Sequence, residues 1–175
     1  NAIRETTVEK IIFFNHSYFC NSGVSTALEP VNLPDGSPDP MVAYAAHGYD
    51  LVVDTEFLTN SSNERLEFIF ERVAESSERM NVPVLVGEWG ALHGNDPGMS
   101  DLVWNHMDLF EKFLFSNAYW SYYPGMENHL YFREALKRPY PTNVSGKLME
   151  YSYDEKAEQF SCSWMEDSEV QAPTR

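Results

Sequence analysis

Four short apolar runs, separated by longer segments, constrain the fold of this chain more than any other feature. They occupy residues 11–14, 42–46, 84–86 and 118–122. The runs are apolar on both faces, which is the pattern of strands in a parallel sheet that is covered by helices. We therefore predict four buried, parallel strands.

Amphipathic helices are predicted between the second and third runs and between the third and fourth. Residues 61–64, Ser-Ser-Asn-Glu, form a capping-box pattern that begins a helix. Apolar residues then recur at helical spacing, at Leu66, Ile69, Phe70, Val73 and Met80. The second helix is marked by Val103, Met107, Phe110 and Leu114. This alternation of strands and helices predicts an α/β fold with right-handed crossovers.

The residues beyond about position 140 follow a different pattern. A helical segment is predicted at 130–136, and the prolines of Arg138-Pro139-Tyr140-Pro141 end it. Apolar and polar residues alternate after Gly146, which predicts two or more antiparallel strands. A closed eight-stranded barrel takes about 250 residues. We therefore predict half of such a barrel in residues 1–139 and the start of a second domain in residues 140–175.

Charge and composition restrict the partners of the chain. The net charge of −15 repels nucleic acid and disfavours anionic membrane surfaces, whereas neutral sugars remain allowed. No apolar run approaches the roughly 20 residues of a membrane span. The chain begins without Met, which suggests a piece of a longer or processed protein, and three glycosylation sequons favour a secreted location. Whether Cys20 and Cys162 pair is left open.

Glu88 is the first candidate for a catalytic residue. It stands at the end of the third run, in Val84-Leu85-Val86-Gly87-Glu88-Trp89-Gly90. A carboxylate at the C-terminal end of a buried strand is typical of a catalytic placement. Such a group can attack the anomeric carbon of a sugar and form a covalent glycosyl intermediate. The alternative is a structural ion pair at the rim of the sheet.

Further candidates lie at the ends of the other runs. His47 and Tyr49 share one face of a strand, and a Tyr hydroxyl can orient a nucleophilic carboxylate and keep it ionised. The alternative is a buried pair that is satisfied by backbone groups. Trp120 and Trp89 are predicted to contact a sugar ring, although Trp is also an ordinary core residue. Asn15 and His16 are predicted to line the same rim.

Several other polar residues are left undecided. His93 either borders the site or is a solvated loop residue, and nothing selects one rim carboxylate among Asp54, Glu56 and Glu127. The histidines are too scattered to indicate a metal site, and no glycine-rich phosphate loop is present. We therefore expect no metal and no cofactor.

The ordered set His47-Gly48-Tyr49, Glu88-Trp89-Gly90 and Trp120 resembles the C-terminal half of a glycoside hydrolase family 5 enzyme. The resemblance implies a retaining β-glycosidase on a (β/α)8 TIM barrel, with the four runs as strands five to eight. It also implies that Glu88 is the nucleophile on strand seven. Within the family the sequence is most similar to endoglycoceramidases and related glycolipid glycosidases. Residues 138–146 resemble their passage from the barrel into a C-terminal β-sandwich.

One feature of that family is missing from the sequence. The acid/base of the family is a Glu that follows Asn, and often precedes Pro, at the end of strand four. In this sequence Asn63-Glu64 begins a helix, and Leu28-Glu29-Pro30 shares only the Glu-Pro pair with that motif. We therefore expect the acid/base to lie on the missing N-terminal half of the barrel, in the same polypeptide or in a separate chain. The isolated chain should be inactive.

The resemblance leaves three functions open. The first is a β-glycosidase that acts on a glycolipid such as glycosylceramide, or on another β-glucoside. The second is an endo-β-glucanase of the same family. The third is a non-catalytic barrel that binds carbohydrate without hydrolysing it.

Overall fold

The structure, a computed structural model, describes residues 2–170 and 173–175. It divides into two compact units. The first comprises the residues up to Ala91 together with Phe115–Ser121, and the second comprises Leu92–Leu114 together with the residues from Tyr122 onward. The predicted domain boundary near residue 140 falls inside the second unit, so the division into 1–139 and 140–175 stays a prediction.

The first unit contains four parallel strands. β1 (Ile12–Phe14) pairs in parallel with β2 (Val42–Tyr44), and β3 (Leu85–Val86) pairs in parallel with β4 (Ser116–Asn117). A parallel bridge between Tyr44 and Val84 joins the two pairs. The strands therefore lie side by side in the order in which they follow along the chain, as the α/β pattern predicts.

The fourth strand begins earlier than the sequence predicts. The run at 118–122 was expected to be the strand, whereas β4 ends at Asn117. Backbone pairing nevertheless continues beyond β4, because the N–H of Ala118 bonds to the carbonyl of Val86 and the N–H of Trp120 bonds to that of Trp89. The extended backbone therefore carries Trp120 along the end of β3.

The expectation that all four strands are buried on both faces is wrong for β1 and β4. Phe13 in the centre of β1 is 53% exposed, and both residues of β4 are exposed. Phe13 shares a face of its strand with Asn15, because side chains alternate along a strand. Asn15 lines the cavity described below.

Helix α1 (Asn63–Met80) confirms the predicted amphipathic pattern. Its N-cap is Ser62, whose hydroxyl accepts a hydrogen bond from the backbone N–H of Arg65, and its C-cap is Asn81 in the left-handed conformation. Its apolar face is buried as predicted, at Leu66, Ile69, Phe70, Val73 and Met80. The Phe70 ring stacks against Phe115 at 6.0 Å between ring centres, which holds the helix against the sheet.

The second unit consists of a helix, short helical turns and a β-hairpin. Helix α2 (Gly98–Phe113) buries Val103, Met107 and Phe110, but the fourth predicted position, Leu114, is 36% exposed because the helix ends one residue before it. Phe132–Leu136 forms a π-helical turn within the segment predicted to be helical. The predicted antiparallel strands are β5 (Gly146–Asp154) and β6 (Gln159–Glu166).

Arg138 connects the helix, the turn and the hairpin of the second unit. Its guanidinium forms an ion pair with Glu111 of α2 and lies over the rings of Trp104 and Tyr153, at 4.9 Å and 5.3 Å from their centres. Burial raises the pKa of Glu111, and the positive charge of Arg138 opposes that shift. Arg138, which stands in the segment predicted to end the helix, therefore also anchors the hairpin.

Among the described residues, no helix combines the length and the apolar character that crossing a membrane requires. Cys20 and Cys162 are both free thiols in the structure.

Candidate active site

A cavity of about 580 Å³ lies where the strands of the first unit end. Six of the seven predicted site residues line it: Asn15, His16, His47, Tyr49, Glu88 and Trp120. Backbone pairing brings the two central segments together, because the N–H of Gly48 bonds to the carbonyl of Glu88 at 2.8 Å. The sheet therefore gathers residues that are up to 105 positions apart in the sequence.

Glu88 contacts both residues of the His47–Tyr49 pair through the same carboxylate oxygen. The hydroxyl of Tyr49 donates a hydrogen bond of 3.3 Å to Oε2 of Glu88, and Nδ1 of His47 lies 3.6 Å from that oxygen. Burial and the negative charge of Glu88 raise the pKa of Tyr49, which keeps its hydroxyl protonated as a donor. The Tyr49 hydroxyl thus orients the Glu88 carboxylate, and the His47 ring lies beside the same oxygen.

Asn15 follows β1 directly, and its side chain contacts both the backbone of His16 and the ring of His47. Its Oδ1 accepts a hydrogen bond of 2.7 Å from the backbone N–H of His16, and its Nδ2 lies 3.2 Å from Nε2 of His47. Asn15, His47 and Glu88 therefore form a continuous row of polar contacts across the ends of three strands.

His16 points away from this row. Its Nδ1 bonds to the hydroxyl of Tyr44 and its Nε2 bonds to Oδ1 of Asn21. Burial lowers the pKa of His16, the hydrogen bond to Asn21 opposes that shift, and the neighbouring His47 adds to it. A neutral imidazole with two partners holds the loop after β1 against β2, a role that the sequence did not reveal because Tyr44 reads only as a buried strand residue.

The two tryptophans of the predicted set have different surroundings. Trp120 lines the cavity and is 51% exposed, whereas Trp89 is fully buried. The Trp89 indole packs edge-on against Tyr119 and donates a hydrogen bond of 3.0 Å to Asn117. Trp89 follows Glu88 directly, and successive side chains of an extended chain point to opposite faces. Trp89 is therefore not among the described residues that line the cavity, and its contact with a substrate stays a prediction.

The two motif glycines have packing roles. A Cβ at Gly48 would lie 2.9 Å from Val86 and 3.1 Å from the ring of Phe70 on α1, so no larger residue fits between His47 and Tyr49 without displacement. Gly90 has a φ of +99° and would place a Cβ against the Tyr119 ring. Glycine at these positions lets the strands and α1 approach closely behind the cavity.

Other cavity residues were not predicted from the sequence. Tyr18, Leu51 and Val53 add apolar surface, and they come from the loops that follow β1 and β2. Their signal in the sequence is only that they lie in loops that follow predicted strands. Asp50 also lines the cavity, but the guanidinium of Arg65 and the backbone N–H of Ser62 already bind its carboxylate.

The undecided polar residues fall in different places. Asp54 lines the cavity, and Glu56 is not among the described lining residues. His93 and Glu127 belong to the second unit, where the His93 ring lies 5.2 Å from that of Tyr123. In the described part of the chain, no group of three His, Cys, Asp or Glu side chains is arranged to hold a metal ion.

Parallel strands that end at a cavity containing a carboxylate are features of TIM-barrel enzymes. The family model described as cellulase (glycosyl hydrolase family 5) matches residues 1–125, and that of the glycoside hydrolase family 5 C-terminal domain matches residues 138–175. The chain therefore belongs to glycoside hydrolase family 5, which confirms the family predicted from the sequence. No curated protein sequence matches the chain.

Solved structures share this fold. Endo-glycoceramidase II from Rhodococcus sp. has a TM-score of 0.80 and 22% identity over 99% of this chain and 41% of its own. Its ganglioside GM3 complex has the same TM-score at 20% identity, with the same coverage. A hyperthermophilic endo-β-1,4-glucanase in complex with substrate has a TM-score of 0.56 and 22% identity over 70% of this chain and 43% of its own. The chain thus spans about two fifths of the endoglycoceramidase structures.

Proposed function

We propose that this chain carries the nucleophile, Glu88, of a retaining β-glycosidase. The observation that carries the proposal is the contact of Tyr49 and His47 with one oxygen of the Glu88 carboxylate, inside a cavity that also exposes Trp120. Both contacts fall on Oε2, so we assign Oε1 as the oxygen that attacks. Membership in glycoside hydrolase family 5 supports the reaction class.

The reaction follows the two steps of a retaining enzyme. Oε1 of Glu88 forms a bond to the anomeric carbon while the bond from that carbon to the leaving oxygen breaks, and the acid/base protonates the leaving oxygen. Water then attacks the anomeric carbon, the acid/base takes its proton, and the bond to Glu88 breaks. The Tyr49 hydroxyl holds the carboxylate in orientation during both steps, and Trp120 offers a flat apolar surface for the sugar ring.

The acid/base is assigned to a segment outside this chain. Besides Glu88, two carboxylates are among the described cavity residues, Asp50 and Asp54. Burial opposes ionisation of Asp50, but the Arg65 guanidinium and the N–H groups of Ser62 and Val52 outweigh it and hold the pKa of Asp50 below its usual value. Asp50 is therefore unsuited to donate a proton. Asp54 is exposed on its loop.

The architecture that we propose is half of a TIM barrel followed by the start of a second domain. Residues 1–139 would supply strands five to eight of a TIM barrel, and residues 140–175 would begin a C-terminal β-sandwich. Four parallel strands in chain order, and the two fifths of the relatives that the chain spans, support this division. The partner is then the N-terminal half of the barrel, in the same polypeptide or as a separate chain.

The substrate that we propose is a glycolipid such as glycosylceramide, or another β-glucoside. The cavity is lined by Tyr18 and Leu51, which are 81% and 59% exposed, and by Val53. Apolar side chains beside a sugar site favour a substrate with an apolar aglycone. An endo-β-glucanase is the second candidate, because the fold is also shared with an endo-β-1,4-glucanase.

Covalent trapping tests the role of Glu88. A fluorinated aryl β-glucoside should label the complete enzyme, and mass spectrometry of its peptides should locate the label on Glu88. Glu88→Gln should abolish labelling, whereas Asp54→Asn, a change of the same kind in the same cavity, should retain it. A label on another residue, or unchanged labelling of Glu88→Gln, would remove Glu88 from this role.

Two assays test the remaining parts of the proposal. Hydrolysis of glycosylceramide, steryl glucoside and cello-oligosaccharides by the complete enzyme should favour the lipid-linked substrates, and a preference for cello-oligosaccharides would favour the glucanase. The 175-residue chain alone should hydrolyse no aryl β-glucoside. Turnover by purified chain of this mass would contradict the assignment of the acid/base to another segment.

A further inference from the structure

We propose that Asn15 is a positioning residue that fixes the tautomer of His47, so that the Nδ1–H of His47 faces the carboxylate of Glu88. The inference rests on the proposed function for its catalytic meaning, but its geometry is independent of that function. It assigns Asn15 to a role other than the direct substrate contact that its position at the end of β1 suggests.

The first step is the orientation of the Asn15 amide. The backbone N–H of His16 lies 2.7 Å from Oδ1 of Asn15. A backbone N–H only donates, so the amide atom that meets it has to be the oxygen. The amide nitrogen therefore faces the other way, towards Nε2 of His47 at 3.2 Å.

The second step is the protonation of the imidazole. The amide nitrogen of Asn15 only donates, so Nε2 of His47 has to accept. A neutral imidazole carries one proton, and with Nε2 as the acceptor that proton resides on Nδ1. Nδ1 is the atom that lies 3.6 Å from Oε2 of Glu88. The Asn15 amide thus selects the tautomer whose N–H points at the proposed nucleophile.

The third step is the effect on Glu88. In the other tautomer, the lone pair of Nδ1 would face the carboxylate and repel it. In the selected tautomer, the Nδ1–H dipole and the Tyr49 hydroxyl both present hydrogen to Oε2. The distances of 3.6 Å and 3.3 Å are long, and contacts of this kind tighten when a substrate fills an active site. Asn15 is exposed, so its bond to His47 also strengthens once a substrate excludes water.

A substrate-binding role for Asn15 predicts a different kinetic effect. Both polar atoms of its side chain already have protein partners, Oδ1 with His16 and Nδ2 with His47. If Asn15 acts through His47, its substitution lowers kcat and leaves KM nearly unchanged, because the substrate loses no contact. If Asn15 binds the sugar directly, KM rises.

The test is the tautomer of His47, observed by NMR in the complete enzyme labelled with ¹⁵N-histidine. The His47 signals are assigned from their loss in His47→Gln. We expect the unsubstituted enzyme to carry the proton on Nδ1. In Asn15→Asp, one carboxylate oxygen still accepts from the N–H of His16 while the other faces Nε2, so a proton should appear on Nε2.

Asn21→Asp is the matched control. It makes the same amide-to-carboxylate change in the same cavity, next to His16, and should leave the His47 tautomer as it is. In Asn15→Asp we expect kcat for an aryl β-glucoside to fall about tenfold or more, with KM changed less than about twofold. A proton on Nε2 of His47 in the unsubstituted enzyme would overturn the proposal even if every variant failed to fold.

Different results would overturn the positioning role of Asn15 and the nucleophilic role of Glu88. An unchanged His47 tautomer in Asn15→Asp, or a rise in KM without a fall in kcat, would overturn the positioning role while covalent labelling still placed the nucleophile at Glu88. Absence of any label on Glu88, together with the expected tautomers, would overturn the proposed function and leave the geometric assignment of Asn15 intact.

Discussion

The Tyr49 hydroxyl donates a hydrogen bond of 3.3 Å to Oε2 of Glu88, across the junction of two parallel strand segments. The two residues are 39 positions apart in the sequence, and a backbone bond between Gly48 and Glu88 sets their spacing. Because burial and the charge of Glu88 both raise the pKa of Tyr49, the hydroxyl remains a donor throughout the neutral range.

Tyr49→Phe should lower kcat about tenfold to a hundredfold, because it removes the donor that orients the Glu88 carboxylate. Labelling of Glu88 by the fluorinated inactivator should become slower but persist, since the carboxylate itself remains. Steady-state kinetics and the rate of labelling measure both effects. Tyr140→Phe, which alters an exposed tyrosine, is the control, and equal kinetics in the two variants would contradict the orienting role.

The two tryptophans should respond oppositely to substitution. Trp120→Ala should lower kcat/KM about tenfold and change the free energy of unfolding by less than about 0.5 kcal/mol, because its side chain is half exposed in the cavity. Trp89→Ala should lower the free energy of unfolding by about 3 to 5 kcal/mol, because the indole is fully buried. Urea unfolding and turnover should be measured on both variants. A stable Trp89→Ala enzyme with a raised KM would instead support Trp89 as a substrate contact.

Gly48→Ala should lower the free energy of unfolding by about 1 to 3 kcal/mol, because the new methyl group meets Val86 and the ring of Phe70. Gly87→Ala is the matched control, since a Cβ there lies 3.9 Å from its nearest neighbour, the carbonyl of Ala46. A second substitution, Phe70→Leu, should recover part of the loss in Gly48→Ala by making room. Equal unfolding curves for the two alanine variants would contradict the close approach of α1.

His16 should make stability depend on pH. Burial lowers its pKa in the folded state below the ordinary value of 6.5, so the unfolded state binds more protons in the window beneath that value. Its contribution to stability is therefore complete above about pH 7 and declines as the pH falls towards 5. His16→Gln should reduce the fall in unfolding free energy between these pH values. Identical pH dependence in the variant and the unsubstituted protein would contradict the shift.

Helix α1 shows how much local pattern determines. Every apolar position predicted for its buried face is buried, because a period of 3.6 residues leaves one face to bury. Helix α2 was predicted as well except at Leu114, where the helix ends one residue earlier than the pattern suggests. The end of a helix depends on which backbone groups find partners, and these lie outside the local sequence.

The surroundings of the residues near the strand ends were harder to predict from the sequence. The sequence singled out Glu88, His47 and Tyr49, which follow apolar runs, and Trp120, which lies within one, and all four line the cavity. It included Trp89 in the same set, although alternation along an extended chain puts Trp89 on the opposite face from Glu88. It could not anticipate Tyr44 as a partner of His16, or Asp50 as a partner of Arg65, because both contacts join segments that only the folded chain brings together.

By itself, the sequence determined the α/β class, the family and the carboxylate at the end of the third run, because these depend on apolar periodicity and on a short ordered motif. Only the tertiary structure decided which atoms of that motif meet. Parallel pairing places Glu88 beside His47 and Tyr49. A backbone N–H binds the oxygen of the Asn15 amide, so the amide nitrogen faces His47, and Trp89 is buried in the packing behind the cavity. Alternation along one strand gives the face of each side chain, but the contacts between distant segments depend on how the strands pair and pack, and no local pattern contains them.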